Sequence, residues 1–169
     1  MFVAEAGRPS RDAGPFDPLR GATGRSPQHL PYPRKALGAQ LFTFRVHSER
    51  LAIARLPADA PVPAWASGAF ASVTRTPSEL SIVCAESLVP ADVLHERGRI
   101  ALGIEGTLAM TTIGILAALC GALAHASVPV FVLSTYDTDW LLVPAERFDA
   151  ACGALRSSGH RVVGTMPEA

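Results

Sequence analysis

The 169-residue sequence lacks most of the patterns that announce catalysis, metal binding or nucleic-acid binding. There is no Gly-x-Ser-x-Gly, no His-Glu-x-x-His and no phosphate loop, so no reaction is written in a contiguous motif. The five histidines, His29, His47, His95, His125 and His160, stand at no ligand spacing, and no metal or other cofactor is expected. Only three cysteines occur, Cys84, Cys120 and Cys152, far apart in the chain and without a Cys-x-x-Cys pair. Their neighbours are apolar, so they read as buried free thiols in a reducing, cytoplasmic setting. The N-terminal stretch also lacks the apolar run of about 7 to 15 residues that marks a secretory signal.

The first forty residues hold six of the 14 Pro and five of the 14 Gly, with six basic and three acidic side chains. Such a stretch buries too little surface to offset its ordering entropy, and residues 1–40 read as a disordered tail or an overlong start. The rest of the chain carries more acidic than basic side chains, which gives no reason to expect nucleic acid. With 49% apolar residues the chain can build one ordinary core. Residues 110–133 have no formal charge and exceed the roughly 20 residues needed to cross a bilayer. Gly114, Gly121, His125, Ser127 and Pro129 punctuate the run, and its composition turns β-branched from Val128. A helix of about 13 residues followed by a buried strand is expected there, and no membrane span.

Residues 41–46 alternate apolar and polar positions, and residues 51–56 return with Leu51, Ile53 and Arg55 opposing Ala52, Ala54 and Leu56, which predicts a hairpin about the turn 47–50. Pro57, Pro61 and Pro63 leave room for at most one helical turn over 63–68. Strands follow at 70–74 and 80–85, then a short helix at 87–94 and a strand at 99–105. After the central helix and strand, the polar turn 136–139 leads back into a strand. A second helix starts at Pro144, with Phe148, Cys152 and Leu155 on one face, and Gly159 stops it before a last strand at 161–163. From residue 99 onward this order is the split βαβ of the ferredoxin-like fold, an antiparallel sheet with two helices on one face. Residues 74–83 repeat the strand, polar turn and strand of 134–143, with Thr74 laid over Ser134 and Glu79 over Asp139. The fold class is therefore α+β, with two ferredoxin-like modules packed as one unit: a degenerate first module at 41–95 and a second at 96–166.

Polar groups interrupt the central stretch in two places, at Thr111 and Thr112 before the helix and from Ser134 to Asp139 after the strand. If both meet at one sheet end, the amides of Ile113, Gly114 and Ile115 present partial positive charge to an anion. Gly114 permits close approach, Asp139 pairs with an ammonium, Ser134 and Thr135 orient it, and Tyr136 walls the pocket. Plainer readings stand beside this one. Ser134, Thr135 and Asp137 satisfy a turn, Asp139 is a solvated carboxylate like Glu79 in the first half, and Gly114 serves helix-on-sheet contact. An enzyme would need Ser134 with His125, or Glu105, Asp137 and Asp139, assembled by the fold. A bare interaction module would pair through its edge strands.

SVPVFVLSTYDTDWLLVP, LAIARLPADAPVPAW and FASVTRTPSELSIVC together resemble the tandem ACT domain proteins of the CASTOR type, over residues 41–164. The resemblance implies a regulatory, non-enzymatic protein whose ACT modules bind an amino acid at their seam, a homodimer and a downstream protein partner. It also implies a ligand-binding set of Thr112, Ile113, Gly114, Ile115, Ser134, Thr135, Tyr136 and Asp139. Only Gly114 and Ile115 of the loop group match well. Thr112 stands where the animal arginine sensors carry an acid, which weakens the case for a cationic ligand and leaves that for an amino acid intact.

Overall fold

The computed structural model describes residues 40–168, so the expectation for residues 1–40 lies, Gln40 apart, outside the described residues. Among these, eight strands form one sheet: β1 (Thr43–Val46), β2 (Leu51–Leu56), β3 (Ala71–Arg75), β4 (Leu80–Ala85), β5 (Leu94–Ile104), β6 (Phe131–Ser134), β7 (Asp139–Pro144) and β8 (Arg161–Val163). Helices α1 (Ile115–His125) and α2 (Phe148–Ser157) complete the α+β, ferredoxin-like architecture.

The long strand β5 belongs to both halves. Its N-terminal part pairs with β2 in the order β3-β4-β2-β5, the ferredoxin order of a first unit whose helices are replaced by turns. Its C-terminal part pairs with β7, and β7 with β6, while β1 lies between β5 and β8. Residue 95, the expected end of the first module, thus lies inside a continuous strand.

β1 and β2 do not form the expected hairpin. Both run antiparallel to β5 on the same side, β1 against residues 102–104 and β2 against 94–99. The His47 N–H donates to the Ala101 carbonyl at 2.9 Å, so the segment between them continues the ladder and does not reverse it. Pro144 ends β7 and does not open a helix. Its ψ of 141° keeps the chain extended, and a 3-10 turn at Ala145–Arg147 precedes α2. The short helix expected at 87–94 is a 3-10 turn at Glu86–Leu88 followed by the start of β5.

Alternation sorts the side chains. Ile100, Leu102 and Ile104 of β5, with Leu141 and Val143 of β7 and Phe44 of β1, pack beneath Leu119 and Leu123 of α1 and Phe148 and Leu155 of α2. Ala52, Ala54, Leu80, Ile82 and Cys84 form the first half's own core, covered by Trp65, Val89 and Val93. On the opposite face Leu51, Val83, Ala101 and Leu142 gather with Phe70 and Trp140. Helix α1 is 11 residues long and ends in a Schellman motif. The Val128 N–H donates to the Leu123 carbonyl, and Ser127 takes a positive φ of 56° where glycine is usual. The strand after it, β6, is a half-exposed edge and not the buried strand expected, because only β7 pairs with it.

Candidate functional site

Strand β5 ends at Ile104, and the loop from residue 105 to 114 returns the chain to α1 at the same end of the sheet as the β6–β7 turn. Two hydrogen bonds hold loop and turn together. The Leu108 N–H donates to the Asp137 carbonyl at 2.7 Å, and the Thr138 hydroxyl donates to the Ile104 carbonyl at 2.7 Å. Within the turn the Thr135 N–H and hydroxyl both donate to the Thr138 carbonyl at 2.8 Å. The Thr138 N–H returns to the Thr135 hydroxyl at 3.2 Å, so much of the polar character of this turn is satisfied internally.

The eight candidate residues differ in position. Asp139 opens β7 directly opposite Ser134, the last residue of β6. Both lie on the face shared with Leu141 and Val143, the face covered by α1 and α2, and Asp139 is half-buried. Thr135 and Tyr136 sit in the turn, where Tyr136 is 81% exposed. Gly114 is the N-cap of α1 with φ 89°, a left-handed conformation in which a side chain would be strained. Ile115 is the first helical residue, while Thr112 and Ile113 precede the helix and are exposed. The free amides are therefore those of Ile115 to Ala117, shifted along the chain from the expected Ile113 to Ile115. No side chain caps them.

A repeated turn corrects the internal alignment. In the first half the Thr76 N–H donates to the Glu79 carbonyl at 2.8 Å, and Arg75 opposes Leu80 across the strands. Thr76 thus matches Thr135, and Leu80 matches Asp139, one position away from the register that the sequence suggests. Asp139 occupies the position at which the first half has fully buried Leu80, so the parallel with Glu79 does not hold. Thr138, the counterpart of Glu79, is absent from the expected site, although it ties the turn to β5.

The start of α1 carries partial positive charge, Asp139 carries a carboxylate, and no formally charged residue lies between Gly106 and Tyr136. The catalytic pair considered above is not assembled: His125 sits at the far end of α1 with Nδ1 2.6 Å from the Gly121 carbonyl, and Ser134 at the opposite end of β6 from that connection. Glu105 is engaged by Arg45. Among the described residues no cluster of metal-ligating side chains occurs, and no helix is long and apolar enough to cross a membrane.

Sheet order and helix placement define a ferredoxin-like α+β protein, and a family model described as ACT domain matches residues 94–157. A second model, of an N-terminal domain, matches residues 49–92. Among solved structures, the Agrobacterium tumefaciens protein Atu0741 is 32% identical, with 78% of this chain and 99% of that chain covered and a TM-score of 0.72. The chain belongs to the same family as that Agrobacterium protein. The Vibrio cholerae protein VC0802 shares the fold at 18% identity, with a TM-score of 0.61 over 73% of this chain and 94% of that one. So does Clostridium acetobutylicum aspartate kinase, an allosteric enzyme, at 11% identity and a TM-score of 0.53, over 70% of this chain and 35% of the kinase. No curated protein matches the sequence.

Proposed function

We propose that this chain is a regulatory, non-enzymatic ACT protein of the CASTOR type that binds an amino acid between the start of α1 and the β6–β7 hairpin. In this reading the division into modules at 41–95 and 96–166 is functional, the protein works as a cytoplasmic homodimer, and ligand binding alters module packing and the affinity for a protein partner. The observation that carries it is the pair of hydrogen bonds, Leu108 to Asp137 and Thr138 to Ile104, holding the helix-start loop against the hairpin. The amides of Ile115 to Ala117 take the α-carboxylate and Asp139 the α-ammonium, with Ser134 beside it. Thr112, Ile113, Gly114, Thr135 and Tyr136 form the rim.

The test is thermal unfolding of the full chain with each of the twenty amino acids at millimolar concentration. A ligand at a hundred times its Kd stabilises by ~2.7 kcal/mol, a rise in Tm of roughly 5 to 10 °C. Asp139→Ala abolishes that rise while keeping the parent's own Tm, because a half-exposed carboxylate contributes little to stability. Absence of a response to every amino acid refutes the reading and leaves a dimerising interaction module.

A further inference from the structure

Resting on the amino-acid reading above, we propose that Trp140 is the residue through which that site communicates with the first half of the chain. Asp139 and Trp140 are consecutive in β7, so their side chains project to opposite faces of the sheet. Asp139 faces the proposed ligand, and Trp140 enters the cluster on the other face.

Trp140 meets Phe70 edge-on at a centroid distance of 5.0 Å and an angle of 82°. His47 completes the group, 5.4 Å from Phe70 and 6.2 Å from Trp140. These residues come from three parts of the fold. Phe70 leads into β3 of the first half, His47 lies where the chain passes from β1 to β2, and Trp140 belongs to the second half. The indole also lies directly on Gly103, where a Cβ would come within 2.6 Å of it. A ring seated on the backbone cannot sink further into the sheet. A rotation of the peptide between Asp139 and Trp140 therefore shifts the indole relative to Phe70 and His47, with which it is in contact. Close-packed contacts of this kind shift between discrete arrangements and do not deform smoothly. A ligand that favours one setting of Asp139 thereby favours one packing of the two halves.

The experiment uses the full chain with Trp65→Phe, which leaves Trp140 as the single tryptophan of the two in the sequence. Each of the twenty amino acids is titrated by calorimetry and by tryptophan emission. The expected result is a saturable change in Trp140 emission with the calorimetric Kd, and a change in that Kd of about 5-fold or more in Phe70→Leu. Binding heat with unchanged emission, or with a Kd that Phe70→Leu leaves unaltered, overturns the role of Trp140 and leaves the binding reading standing. No heat from any amino acid overturns the binding reading and this inference with it.

Discussion

Replacing Gly103 by alanine probes the most crowded point of the sheet. An ideal Cβ there lies 2.6 Å from Cζ3 and 2.8 Å from both Cε3 and Cη2 of Trp140. Carbon atoms pack at about 3.5–4.0 Å, so the indole must lift by about 1 Å. It has little freedom to do so with Phe70 5.0 Å away, and overpacking of this kind costs about 1–3 kcal/mol. Alanine also restricts the unfolded chain, which by itself stabilises by about 0.4–1 kcal/mol. Gly103→Ala should therefore destabilise, by up to about 2.6 kcal/mol. In a Trp140→Leu background, where the obstructing ring is gone, the same substitution should change sign and stabilise by about 0.4–1 kcal/mol. Urea unfolding of all four proteins, followed by far-ultraviolet circular dichroism, measures the cycle. Stabilisation by Gly103→Ala with Trp140 present, or an effect of the same size in both backgrounds, would refute the steric argument.

Three further outcomes follow from particular contacts. His160 accepts the Phe42 N–H at Nδ1 and packs on Phe42 and Phe44, and burial lowers its pKa below the usual histidine value. The unfolded chain therefore takes the proton first. Stability should fall as pH drops below about 6.5 and level off once the folded state also protonates, and His160→Asn should flatten that slope in pH-dependent urea midpoints. Thr138→Val removes the hydroxyl bonded to the Ile104 carbonyl and should cost about 0.5–1.5 kcal/mol in the same assay, with weaker amino-acid binding by calorimetry. Burial pushes the thiols of Cys84 and Cys152 upward, while Cys120 is partly exposed. A thiol reagent at neutral pH should label Cys120 alone in the native protein, and all three cysteines only after unfolding.

Much of the fold is legible in local pattern. Short apolar runs mark β2 and β4, alternation of Ile100, Leu102 and Ile104 marks the second half of β5, and Gly159, at φ 89°, stops α2 as expected. Strand partners are harder to read, because alternation specifies which face a residue occupies but not which neighbour lies beside it. For that reason the hairpin expected of β1 and β2 gives way to two successive segments along β5. The polar residues 95–97 hide the first part of β5, since a strand paired on one side in its N-terminal part does not need an apolar sequence there.

The candidate site divides in the same manner. Residue chemistry and local conformation are enough to mark the two polar clusters, the uncharged run between them and the glycine required at position 114. Long-range assembly was needed to bring Leu108 to Asp137 and Thr138 to Ile104. It also set the free amides at Ile115 to Ala117, and it matched Asp139 with Leu80 and not Glu79. The seating of Trp140 on Gly103 against Phe70 belongs with these, for it joins segments far apart in the chain. Such contacts follow from how the sheet is built across both halves, and no local stretch of sequence encodes that arrangement.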